Sequence, residues 1–122
     1  MASDGALYED DDLEHRQVRA AKNQSLFREV NERIEELRPG DLLIEFACEC
    51  SNTDCEASLP LSNDEYESVR LFPTHFIVVP GHELDEIERV IEQNERYAVV
   101  EKFGAGGPAA VKLDPRARRV RP

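Results

Sequence analysis

No stretch of this sequence approaches the ~20 consecutive apolar residues that a membrane-crossing helix needs. The N-terminus also lacks a basic start followed by an apolar stretch, so a cytoplasmic location is the expectation. Positive charge is scarce: 15 Lys and Arg face 26 Asp and Glu, giving a formal net charge of -11. Such an acidic protein repels phosphate backbones and anionic lipid surfaces, so neither nucleic acid nor membrane is expected as a direct partner. The three cysteines are an odd number, which suits reduced thiols or metal ligands better than a disulfide framework. Catalytic signatures are missing as well. There is no Gly-x-Ser-x-Gly elbow, phosphate-binding glycine loop or His-Glu-x-x-His helix, and no deaminase pairing of His-x-Glu with Pro-Cys-x-x-Cys. No catalytic residue is assigned.

What is present is a crowd of thiols. Cys48, Cys50 and Cys55 fall within eight residues, and a Pro80-Gly81-His82-Glu83 turn follows downstream. Three thiolates and one imidazole match the ligand preference of tetrahedral Zn²⁺, so Cys48, Cys50, Cys55 and His82 are the expected metal ligands. Gly81 relieves backbone crowding and Pro80 fixes the approach, while Glu83 is expected as an acceptor beside the site. His75 competes for the fourth position, and His15 is the weakest of the three histidines. Two other readings stand beside zinc. The cysteines could be small buried apolar groups, or two of them could cycle through a disulfide. Acidic neighbours, and the lack of any Lys or Arg between Arg38 and Arg70, disfavour the thiolate that redox chemistry needs.

The chain divides by pattern into an acidic leader (1–13) expected to be disordered, one α+β domain (14–103), and a flexible Gly/Ala linker with a basic tail (104–122). The acidic and basic ends could attract each other. From Glu14 to Leu37, apolar residues including Leu26, Phe27, Val30, Ile34 and Leu37 recur at helical spacing, and Arg38-Pro39-Gly40 stops the helix. That stripe is expected to face the core; any part left uncovered is a surface for another copy or a larger protein. Leu42 to Cys50 alternates with period two, which puts Cys48 and Cys50 on the face of Ile44 and Phe46, opposite Glu45, Ala47 and Glu49. A polar turn then returns Glu56–Leu61 antiparallel, making a hairpin with thiols at its tip. Ser62 and Asn63 offer capping oxygens for a short helix that Pro73 ends, and His75–Val79 reads as a central strand. Residues 84–102 read as a short helical start running into a hairpin.

The chain resembles a group of short bacterial proteins typical of actinobacteria. These combine a long helix of the form Leu26-Phe27-Arg28-Glu29-Val30-Asn31-Glu32-Arg33-Ile34, a Phe46-x-Cys48-Glu49-Cys50 strand and a third Cys. A Glu65-Tyr66-Glu67-x-Val69-Arg70 helix and Val79-Pro80-Gly81-His82-Glu83 complete the pattern, which spans about Arg16 to Lys102. The resemblance implies a shared three-Cys, one-His site and nothing about reaction or partner. A small domain has a thin core, and a metal clip would add cohesion. The expected protein is therefore an α+β fold, a long N-terminal helix packed on a small antiparallel sheet with a zinc-stapled hairpin. Its expected role is that of a cytoplasmic, non-enzymatic module for protein interaction or regulation. The alternative is a thiol redox sensor or zinc-dependent enzyme.

Overall fold

The computed structural model describes residues 2–38 and 42–120, with side chains described for 13–38 and 42–117. Helix α1 (Ala2–Leu37) leads into β1 (Ile44–Ala47) and β2 (Ser58–Leu61), an antiparallel pair with Ile44 opposite Leu61 and Phe46 opposite Leu59. Helix α2 (Asn63–Arg70) connects to β3 (His75–Val78), β4 (Glu88–Gln93) and β5 (Ala98–Lys102), an antiparallel sheet in the order β3-β5-β4. Helices α3 (Gly106–Leu113) and α4 (Pro115–Val120) close the chain. The α+β arrangement, with a long N-terminal helix on small antiparallel sheets, is the one the periodicities predict.

The local reasons are legible. Ser62 and Glu65 form a reciprocal capping box that starts α2. The Phe46 and Tyr66 rings stack at 4.4 Å, joining α2 to the β1–β2 hairpin. The expected helical start at residue 84 is a single turn, in which Ile87 and Glu88 both donate to the Leu84 carbonyl before β4 begins. In β4 an irregularity at Ile91 shifts the register between Val90 and Glu92.

Three expectations are corrected. First, the buried face of α1 is polar: Gln17, Gln24, Arg28, Asn31 and Glu32 are buried, whereas Leu26, Val30 and Leu37 are exposed. The cause lies in what the helix crosses. Gln17 donates to the Glu86 carbonyl, Asn23 to Ser51, Gln24 to Glu49, Arg28 to His75 and Asn31 to Ala47. These backbone groups lie at strand ends and loops where the ladders stop, and only polar side chains can satisfy them. Second, β3 is an edge strand of its sheet rather than a central one. Its outer side is occupied by the segment after β1, where Glu49 N donates to the Ile77 carbonyl at 2.7 Å.

Third, the stretch expected as a flexible linker is helix α3, docked on α1. Its glycines serve close approach: a Cβ on Gly106 would lie 3.1 Å from both the Gln17 carbonyl and the Lys102 stem. Gly104 takes φ +63°, with the Gln17 amide where a Cβ would go. The basic tail likewise engages the body of the domain. Arg116 binds Glu32 of α1 and Glu67 of α2, while Asp114 accepts a bidentate pair of bonds from Arg70 at 2.6 and 3.2 Å. Of the acidic leader expected to be disordered, residues 2–13 form the first part of α1, and the side chains of 1–12 lie outside the described residues.

Burial, and a hydrogen bond shared with Glu67, raise the Glu35 carboxyl to about 7. A carboxyl raised in the fold above its unfolded value of 4.5 binds extra protons in the native state. Its contribution to stability is therefore full below about pH 4.5 and is lost as pH rises to about 7. Glu35→Gln removes that loss. The melting temperature of the variant relative to the parent is expected to rise between pH 5 and pH 8; a difference independent of pH would contradict the assignment.

Candidate metal centre

Each expected ligand reaches the site through a distinct local device. Cys48 and Cys50 follow directly on β1, and Cys48 N donates to the Ala57 carbonyl, extending the hairpin ladder by one bond. Cys55 returns through a turn built on Asn52, whose side-chain oxygen accepts from Asp54 N and whose carbonyl accepts from Cys55 N, both at 3.0 Å. His82 sits on a turn after β3, closed by its own N–H donating to the Val79 carbonyl at 2.9 Å. Gly81 occupies that turn with φ +97° and open space around its Cα, so glycine is required there by backbone conformation and not by crowding.

The four side chains converge. The Sγ atoms of Cys48, Cys50 and Cys55 and the His82 ring nitrogen all lie within 4.8 Å of one another. His82 Nδ1 is 3.5 Å from Cys48 Sγ and 3.7 Å from Cys55 Sγ. Cys48 Sγ also accepts the Val79 N–H at 3.2 Å, a bond that orients the sulfur and favours its thiolate. Burial pushes both the Cys48 and the Cys50 thiols up from their ordinary value, so without a cation these two remain protonated. A bound cation reverses that preference because a coordinating thiol gives up its proton. The group could hold a metal ion.

The other histidines are placed elsewhere. His75 packs on Phe72 with tilted rings 4.6 Å apart, and its Nε2 lies 3.4 Å from a Glu101 oxygen. His15 is exposed on α1. Glu83, expected beside the site, accepts from Gly81 N at 3.0 Å and so braces the turn that presents His82.

Sequence reasoning missed Glu49. It was assigned to the face opposite the thiols, and that face is not solvent: α1 covers it, and Glu49 is 0% exposed between Cys48 at 1% and Cys50 at 3%. Its carboxylate accepts from Asn31 Nδ2 of α1 at 2.8 Å, from Tyr66 Oη of α2 at 3.3 Å and from Ile77 N of β3 at 3.0 Å. Buried Arg28, lying 3.7 Å over the Phe76 ring, adds a nearby positive charge. The signal was the spacing of Gln24, Arg28 and Asn31, a polar stripe at i, i+4 and i+7 that needs polar company inside.

No family model matches the chain, and neither the curated proteins nor the solved structures hold a significant match. The site is therefore read from its own geometry.

Glu49→Ala would leave one Asn31 amide N–H, the Tyr66 hydroxyl and the Ile77 N–H buried without their acceptor. Urea unfolding is expected to show a loss of about 3 kcal/mol, taking about 1–3 kcal/mol for each orphaned group and allowing for relaxation. Glu45→Ala, on the exposed face of β1, is the control and should stay within about 0.5 kcal/mol of the parent.

Proposed function

We propose that this protein is a zinc-binding module in which Cys48, Cys50, Cys55 and His82 hold a single structural Zn²⁺. The observation that carries the reading is the pair of Nδ1 to Sγ distances, 3.5 and 3.7 Å. Zinc bonds of about 2.3 Å to sulfur and 2.0–2.1 Å to nitrogen, at the tetrahedral angle, separate two such ligands by about 3.6 Å. Borderline-soft Zn²⁺ suits three thiolates and an imidazole, whereas oxygen-seeking Mg²⁺ and Ca²⁺ do not. Four protein ligands complete the tetrahedron, so no position is left for a water or substrate. That supports a structural and non-enzymatic role.

The ligands span the loop after β1 and the turn after β3, so the metal joins the two sheets. Among the described residues, no helix is long and apolar enough to cross a membrane. In this reading the module is cytoplasmic, and the net charge of -11 favours a protein partner over nucleic acid or lipid. Leu26, Val30 and Leu37, exposed along one side of α1, support a docking or regulatory role.

Native mass spectrometry of the full chain is expected to show one zinc per molecule, removed by a strong chelator with a clear drop in melting temperature. His82→Ala should weaken zinc binding by at least tenfold in a chelator competition, and His75→Ala should leave it unchanged. A metal-free native protein, or sensitivity at His75 instead of His82, would overturn the assignment.

A further inference from the structure

The four ligands are not equally protected. Cys48 and Cys50 are buried, at 1% and 3% exposure, whereas Cys55 is partly exposed and His82 is exposed. The centre thus has a closed inner half and an open rim, and its one accessible sulfur stands on that rim. The sulfurs also differ in how they are held. Cys48 is fixed by the Val79 N–H at 3.2 Å and by its backbone bond to Ala57. Cys50 has a longer contact, 3.8 Å from its Sγ to the Asn52 carbonyl, within the same short loop that carries Cys55. The sulfurs of Cys50 and Cys55 lie within 4.8 Å of each other on one loop, while Cys48 could join Cys55 only by giving up its bond to Val79.

Resting on the zinc reading, we infer that Cys55 is a site of oxidation by hydroperoxides, and that its attack ends in a Cys50–Cys55 disulfide that expels the metal. Zinc keeps the bound sulfurs as thiolates, the nucleophilic form. The Cys55 thiolate attacks one oxygen of hydrogen peroxide; the O–O bond breaks, a sulfenic acid forms and hydroxide leaves. The Cys50 thiolate then attacks the Cys55 sulfur; the S–S bond forms, the S–O bond breaks and a second hydroxide leaves. Solvent protons convert both hydroxides to water. Two electrons pass from the two thiolates to the peroxide, and zinc itself changes no oxidation state. Cys48 and His82 alone cannot complete a tetrahedral site, so the ion departs. Since the metal joins the two sheets, oxidation is read out as loosened packing around Glu49.

The test uses the full chain as purified under reducing conditions. Zinc is first quantified by native mass spectrometry, and the protein is then titrated with hydrogen peroxide in the presence of a chromogenic zinc indicator. One zinc should be released per disulfide formed, and the metal-free product should weigh about 2 Da less than reduced apoprotein. Proteolytic mapping should join the Cys50 and Cys55 peptides, and dithiothreitol with added zinc should restore the starting species. Zinc that stays bound while peroxide is consumed would overturn the inference and leave the zinc reading standing, as would a Cys48–Cys50 linkage or a Cys55 sulfinic acid with no disulfide. Absence of zinc before any oxidant is added would overturn both.

Discussion

The carboxylate of Glu49 is the point through which the elements of this domain are held to one another. One oxygen takes the Ile77 N–H of β3, and the other takes the Asn31 amide of α1 and the Tyr66 hydroxyl of α2. A carboxylate with three donors and a neighbouring guanidinium offsets much of its desolvation cost, and the arrangement leaves each donor one geometry to adopt. Apolar packing is less selective, because side chains can slide against each other at small cost. Glu49 therefore sets where α1 and α2 stand relative to the sheets, and the neighbouring sulfurs inherit that accuracy.

The same polar logic runs along α1. Its inward face bonds to carbonyls that the strand ladders leave unmatched, and Lys102, Glu88 and Gln24 form a buried trio beneath β4 and β5. At the other end, Asp114 takes Arg70 while Arg116 grips Glu32 and Glu67, so the last helices are clasped to α1 and α2 by charge. The apolar core of Ile44, Phe46, Leu59, Tyr66, Phe76 and Val100 supplies the bulk of the burial. The polar ties select one arrangement of that core among several of similar hydrophobic content.

Much of this was legible in the residues. The thiol spacing and the Pro80-Gly81 turn identified four side chains that do converge, because turn chemistry is local and acts over a few positions. The start of α2 near Ser62 and the end of α1 at Leu37 were equally local. Two things were not. The polar face of α1 turned inward because the groups it satisfies come from residues 47 to 86, and periodicity alone cannot say which stripe meets them. The Gly104–Ala110 stretch reads as linker by composition, yet its small residues let α3 lie close on α1, a reason that exists only once α1 is in place. Both failures concern long-range partners.

The pairing of strands within each sheet has a kinetic corollary. β1 with β2, and β4 with β5, join neighbours in sequence, so each hairpin can form early with little loop-closure entropy. The bonds between the sheets link positions 28 to 34 residues apart, from Glu49 to Ile77 and from Cys48 to His82. Folding then has a natural order in which two ready-made ribbons form before a late docking step joins them. Under the proposed zinc reading, a chain emerging where that metal is scarce would linger as paired ribbons with unburied inner faces, a form open to proteases, so metal supply would set how much of this protein accumulates.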